Sequence, residues 1–341
     1  MNLRVIFAAA WLAGSAGGLG AWDYEGHRLI NLLALESLPT NFPAWVREPE
    51  AVERIAFLSG EPDRWRNVSD LSFKHATAPD HYIDIEELAD YGLKPEGLPI
   101  FRGDFIAHLA LVRKANPSKF PEIPETKNQD HTRELVGLVP WEMAENVGRL
   151  KSGFSCLKAF EENGGTPQEI ANAKANIIYV MGVMGHFVAD SAQPLHTTIH
   201  HHGWVGDNPE RYTTNRSFHS WIDGGYFGKV GLPRLEDFKS KLRPAQKVLL
   251  NGREARTEEV FQAMALFVAE QNKLTEKLYQ LEKEGKLSGN GTKGLEGKPF
   301  LEGQFLKAAQ LIGDCWMTAW ELAPPDTFLN SQLAKRKKQG R

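Results

Sequence analysis

The segment from Thr166 to Pro194 constrains this chain more than any other. Thr166-Pro167-Gln168-Glu169 has the form of a helix start: threonine as N-cap, proline in the first turn, and glutamate three residues on to complete a capping box. Apolar residues at Ile177, Val180, Met181 and Val183 carry the helical period to about Ser191, and Pro194 ends it. His186 and Asp190 sit on this helix four residues apart, so both side chains leave the same face. His219 and Asp223 repeat the spacing in a second helical stretch, Ser217 to Tyr226, and His196 falls between the pairs just beyond Pro194. One such pair is the common surface i,i+4 contact, or a buried histidine satisfied by its neighbour. Two pairs and an intervening histidine within 38 residues point to a shared site.

The rest of the chain predicts helix almost throughout. Leu29, Ile30, Leu33 and Leu35 mark one helix, and Val52, Ile55, Ala56 and Phe57 a second that closes near Gly60-Glu61-Pro62. Phe105 to Val112 gives a short third, and a longer one runs from Pro140 to Asn163-Gly164-Gly165. Two C-terminal helices are predicted over Thr257 to Glu284 and Gln304 to Leu322, with the Gly-rich stretch 285–298 between them. Strand-like alternation is scarce, and neither a repeat nor a long linker divides the chain. The expectation is an all-α fold, one multi-helix domain over 22–323, followed by a basic solvated tail over 324–341 that contains Lys335-Arg336-Lys337-Lys338. A nucleic-acid contact by that tail is a secondary reading.

The first 21 residues read as an export signal: Arg4, then an apolar run from Val5 to Ala13, then small residues to Ala21. The apolar core is too short to span a bilayer, so the expectation is a secreted or periplasmic protein without stable membrane insertion. Cleavage after Gly20 or after Ala21 is compatible with the pattern, and only the second exposes the amine of Trp22.

Composition narrows the chemistry. Forty Lys+Arg against 43 Asp+Glu leave a formal charge of −3, which excludes a surface coated with phosphate-binding cations. Two cysteines, Cys156 and Cys315, cannot build a disulfide scaffold or a Cys-rich zinc finger; they either pair or remain free thiols. Imidazole with carboxylate and no thiolate suits a catalytic zinc site, whereas calcium or magnesium would want more oxygens. The cluster holds too many ligands for one tetrahedral ion, which implies more than one metal, and a shared aspartate would bring two ions to about 3.5–4 Å, the spacing used in phosphoryl chemistry.

The run from His186 through Asp190 to His196 resembles the His-x3-Asp-x5-His signature of the trinuclear-zinc nucleases of the S-one/P-one type, whose superfamily includes zinc-dependent phospholipases C. Trp22-x4-His27, Asp63 in Glu61-Pro62-Asp63-Arg64, His81-Tyr82-Ile83-Asp84, Pro140-Trp141 and His219-x3-Asp223 follow in the family's order, over roughly Trp22 to Phe227. The resemblance implies three zinc positions: Asp63, His81, His186 and Asp190 at the first; Trp22, through its terminal amine and carbonyl, with His27 and a bridging Asp190 at the second; His196, His219 and Asp223 at the third. It further implies that a hydroxide between the first two zincs attacks phosphorus, with Asp63 as the catalytic residue that orients or deprotonates it. The implied substrates are single-stranded DNA or RNA, with 3′-nucleotides or other phosphate esters, acted on by a monomer; phospholipase C activity and non-catalytic zinc binding are the alternatives.

Two departures bear on substrate. Gly224 follows Asp223 where the family nucleases have asparagine, while Asp223 itself separates the chain from the phospholipases, which have glutamate there. His75 is an alternative to His81 as ligand; His108 and His131 read as ordinary core or surface residues, and His200-His201-His202 as a polar loop lip. Trp204, Tyr212 and Trp65 are the aromatic candidates for stacking a base.

Overall fold

The structure, a computed structural model, describes residues 22–339; the leader and its cleavage point lie outside the described residues. The chain is all-α. It opens with α1 (Tyr24–Ser37), α2 (Pro49–Leu58), α3 (Glu61–Arg66), α4 (Leu71–Thr77) and α5 (Arg102–Ala115). Two long helices follow, α6 (Val139–Asn163) and α7 (Pro167–Ala192). The C-terminal half contributes α8 (Phe218–Ser220), α9 (Tyr226–Val230), α10 (Glu236–Lys239), α11 (Val260–Asn272), α12 (Thr275–Lys283), α13 (Lys298–Glu321) and α14 (Thr327–Lys338). The strands among the described residues form one two-residue hairpin, Leu249–Leu250 against Arg253–Glu254. None of the described helices is long and apolar enough to cross a membrane.

α7 is the axis of the fold. Its capping box forms as expected: the Thr166 hydroxyl accepts from the Glu169 amide at 3.2 Å, and the Glu169 carboxylate accepts from the Thr166 amide at 2.8 Å. From Met181 to Ala192 every residue is buried, because α1, α2, α6 and α13 pack against it. A helix covered on all sides must be apolar or internally satisfied, and His186 and Asp190 are the exceptions that the site explains. α1 reaches α7 at Gly185, where a Cβ would lie 1.7 Å from the Asn31 amide oxygen. The Asn31 amide nitrogen donates to the carbonyls of Ile55 and Gly182, both at 3.0 Å, so one buried side chain ties α1, α2 and α7 together. Trp22, Trp141 and Trp316 are among the largest fully buried side chains, each removing apolar area worth about 2–3 kcal/mol from water.

Three boundaries differ from expectation. The helix predicted over Thr257 to Glu284 breaks after Asn272, whose side chain leaves the helix surface to donate to Glu86 and to the Thr197 carbonyl, both at 2.8 Å. α13 starts at Lys298, with Pro299 in its first turn, rather than at Gln304. The expected solvated tail is an ordered helix: α14 is N-capped by Asp326, buries Leu333, and bonds Asn330 to Asn163 and Arg336 to Glu169. Its basic run pointed to solvent because Lys335, Lys337 and Lys338 are indeed exposed, but a single apolar residue and two polar contacts dock the opposite face. Cys156 and Cys315 are both free thiols.

Candidate metal centre

The C-terminal end of α7 places Asp190 at the middle of a ring of imidazoles. Its Oδ1 lies 3.3 Å from His27 Nε2, and its Oδ2 lies 2.9 Å from His81 Nδ1, 3.2 Å from His186 Nε2 and 3.9 Å from His196 Nδ1. His186 Nε2 and His81 Nδ1 are 3.0 Å apart, and Asp63 Oδ1 stands 3.8 Å from His186 Nε2. A second focus lies alongside, with His196 Nε2 2.9 Å from His219 Nε2, itself 3.2 Å from Asp223 Oδ2.

Each side chain arrives by a different local device. His27 rides one turn into α1, whose N-cap Asp23 accepts from the Gly26 amide at 2.9 Å. α3, a helix the sequence reading did not predict, carries Asp63 and Arg66 on one face, their side chains 2.9 Å apart. The segment holding His81 is laced to that holding His196: the Ile83 amide donates to the His196 carbonyl at 2.9 Å, and His196 Nδ1 to the His81 carbonyl at 2.8 Å. His186 Nδ1 donates to the Ser59 carbonyl at 2.7 Å, which turns its Nε2 toward Asp190. Fixing one imidazole nitrogen on a carbonyl leaves the other as a lone-pair donor, the usual arrangement behind a metal-bound histidine.

His219 and Asp223 lie on a run more irregular than the predicted helix. Residues Trp221–Gly225 form a π-turn between α8 and α9, a feature common at functional sites. Asp223 is held from two sides: Gln193 Nε2 donates to its Oδ1 at 2.8 Å, and its backbone carbonyl accepts from the Asp23 amide at 3.0 Å. Gly224 now has a physical reason. A Cβ there would approach the Asp23 Cβ to 2.9 Å, so the bare residue lets the chain beside Trp22 lie against Asp223. Trp22 is fully buried, its indole donating to the Ala189 carbonyl at 3.1 Å and meeting Phe305 edge-on at 4.5 Å.

The protonation pattern suits cation binding. Burial pushes His81 down to about 3, with the Arg66 charge adding to it, and pushes His196 down to about 4. Burial also lowers His27, and lowers His219 well below its usual range. For His186 burial acts downward, but Asp190 and Asp63 outweigh it and raise the group. Burial likewise works against the Asp190 carboxylate, yet His186 and His196 beside it and the imidazole hydrogen bonds hold it well below the usual range. Asp223 shows the reverse: burial drives it well above, and the Gln193 bond and the more distant Arg66 charge pull down without offsetting it. A buried carboxylate that lacks a positive partner, next to neutral imidazoles, is a site short of positive charge.

Three side-chain groups have ligand atoms mutually within 4.8 Å: His27, His186 and Asp190; Asp63, His81 and His186; His196, His219 and Asp223. His81 Nε2 and His219 Nδ1 are buried without a hydrogen-bond partner. The donor set therefore fits metal ions, with His186 shared between the first two groups rather than confined to one. The sequence reading had missed Gln193, which steadies Asp223, and Arg66, which pairs with Asp63; the i,i+3 spacing of Asp63 and Arg66 was the available signal.

The remaining candidates fall outside this cluster or beside it. His75 is exposed and binds the Asp130 carbonyl through Nδ1 at 2.8 Å, so His81 and not His75 enters the group. His108 binds the Tyr91 carbonyl, and His131 is exposed beside Glu134. His202 lies ring to ring with His219 at 5.5 Å, and His201 pairs with Asp84 at 3.7 Å, so the triplet forms a lip over the second focus. Tyr212 is not an open stacking surface: it is buried and its hydroxyl donates to Glu276 at 3.0 Å. Trp204 is half-buried and stacked on His200 at 3.9 Å. A scan against protein-family models finds none that matches this chain, and a search of curated proteins returns no relative.

Proposed function

We propose that this protein is an exported zinc-dependent phosphoesterase that hydrolyses phosphodiester bonds, with single-stranded nucleic acid as its main substrate and 3′-nucleotides as a further one. The observation that carries the reading is the convergence of His27, His81 and His186 on Asp190, with Asp63 beside His186 and with His196, His219 and Asp223 alongside. Zinc held there would supply Lewis acidity toward a phosphoryl oxygen and a lowered pKa for water. In this reading the backbone amine and carbonyl of Trp22 join His27 and Asp190 once the leader is removed after Ala21, giving three zincs per chain.

The chain's own residues divide the remaining work. Asp63, half-buried at the edge of the group, is the carboxylate able to orient and accept a proton from an attacking water. Arg66 is tied to Asp63 at 2.9 Å and its charge is felt at His81, His196, His219 and Asp223, so it is a fixed positive charge beside the group in which a phosphate would sit. His202 and His201 border the second focus, where a leaving group would depart.

The test combines metal analysis with a side-by-side assay. Purified mature protein is expected to carry about three zincs per chain and to cleave single-stranded DNA, RNA and a 3′-nucleotide in preference to phosphatidylcholine. Cleavage that persists in excess chelator refutes the mechanism. Full zinc loading without hydrolysis of any of the four substrates favours a zinc-binding protein.

A further inference from the structure

α5 (Arg102–Ala115) turns an apolar surface to solvent. Phe105 and Leu109 are its buried residues, so the opposite face points outward. From Phe105 to Val112 the chain carries no Asp, Glu, Lys or Arg on either face. Ala107, Ala110 and Leu111 are exposed there, Leu111 to 67%. Ile100 and Phe101, just before the helix, are 54% and 65% exposed. A surface helix ordinarily sets charged residues on its outer face, and one that is apolar all round is covered. An exposed apolar stripe of this kind marks an interaction surface.

Charges mark the two ends of the stripe. Asp104 in the first turn and Lys114 in the last are both exposed, and neither side chain makes an ion pair or hydrogen bond among the described residues. They stand about 15 Å apart along the axis, about 40° to opposite sides of the line midway between Ala107 and Leu111.

That layout is self-complementary. When a second copy of α5 packs antiparallel across a two-fold axis through the outward face between Ala107 and Leu111, every contact occurs twice. Asp104 of each copy then faces Lys114 of the other, and Ala107 faces Leu111, a small residue against a large one. Phe101 comes to the exposed Pro117 beyond the far end of the helix. A lipid surface would take up the apolar residues and Lys114 but would meet Asp104 as a bare carboxylate, whereas a second copy pairs both charges. We infer that α5 is the interface of a homodimer, packed antiparallel on its twin through Ala107 and Leu111 and held in register by two Asp104–Lys114 pairs. The family resemblance implies a monomer; the outer face of α5 argues against one. The inference is independent of the phosphodiesterase reading, and its test reads no activity.

Sedimentation velocity of the purified protein over about 5–500 µM, a range suited to a small interface, is expected to show a monomer–dimer equilibrium. Leu111→Lys should abolish the dimer while leaving the circular dichroism melt of the exposed site unchanged. Asp104→Lys and Lys114→Asp should each weaken it about 5- to 30-fold, because each sets like charges opposite one another at both ends of the interface. Combining the two reversals should restore the parent affinity, which no other arrangement of the helices requires. Phe328→Ala removes an aromatic that is 74% exposed on α14 and should dimerise as the parent does. A monomer at every concentration overturns the inference, as does a dimer indifferent to Leu111→Lys or equally weakened by Phe328→Ala. Failure of the double reversal to restore the affinity lost in the singles overturns the antiparallel pairing. Flotation with phosphatidylcholine–phosphatidylglycerol vesicles that depends on Leu111, in a protein that stays monomeric, assigns the face to lipid instead and likewise overturns it.

Discussion

Replacing Gly185 by alanine tests whether the α1–α7 contact assembles the candidate metal centre. In most helices this exchange stabilises by up to about 1 kcal/mol, because glycine loses more backbone freedom on folding. Here the added Cβ would fall 1.7 Å from Asn31 Oδ1 and 2.8 Å from its Nδ2. The Asn31 side chain is fully buried and cannot swing away without giving up its bonds to the Ile55 and Gly182 carbonyls. Overpacking costs about 1–3 kcal/mol, and the two weakened buried hydrogen bonds about 1 kcal/mol each. Set against the propensity gain, the net destabilisation is about 2–4 kcal/mol. His27 lies one turn before Asn31, so displacement of α1 also moves it from its 3.3 Å contact with Asp190. Urea unfolding followed by circular dichroism, on chelator-treated protein so that metal binding does not mask the change, measures the stability term. Zinc content of the untreated variant measures the site. Gly148→Ala is the control: no atom lies within 4 Å of its Cβ position on α6, so it should stabilise by about 0.5–1 kcal/mol. A Gly185→Ala protein as stable as the parent, with full zinc content, refutes the reasoning.

Two further perturbations probe charge and close approach. In metal-free protein, His81 and His196 titrate in the folded state at about 3 and about 4, against 6.5 when unfolded, so the unfolded chain binds more protons as pH falls through 6.5. Between pH 6.5 and 5 the two groups remove on the order of 3 kcal/mol, partly offset by His186, whose shift has the opposite sign; a flat urea midpoint over that range would contradict the burial of neutral imidazoles. Gly224→Asn adds a side chain whose Cβ would lie 2.9 Å from that of Asp23. It should loosen the Asp23 amide bond to Asp223 and cost about 1–3 kcal/mol with loss of metal from the His196 group, and an unchanged melting temperature and metal content would show that the N-terminal segment does not brace Asp223.

Much of this architecture was legible in the chain because its signals are local. The Thr166 capping box, Pro140 at a helix start and Gly164 after Asn163 act within one or two turns, and α6 and α7 begin and end where those residues place them. His186 with Asp190, and His219 with Asp223, could be read as facing pairs from helical periodicity alone. The short α3 was missed because six residues carry too little periodicity to register, although it delivers both Asp63 and Arg66. The break between α11 and α12 was missed because its cause, the Asn272 bonds to Glu86 and Thr197, lies almost two hundred residues away in one case. α14 reads from sequence as a solvated tail because a charge run states only what faces water, while its docking depends on the burial of Leu333 and on the distant partners Asn163 and Glu169.

The sequence by itself determined an all-α chain and the residue types of a multi-histidine, multi-carboxylate centre, since both follow from spacing along the backbone. Only the tertiary structure decided that His27 and His81 meet Asp190, that Asp63 comes up to His186, that His186 belongs to two candidate groups at once, and that Gln193 and Asp23 brace Asp223. Those relations depend on how closely helices approach, and approach is set by the absence of side chains at Gly185 and Gly224 as much as by any residue present.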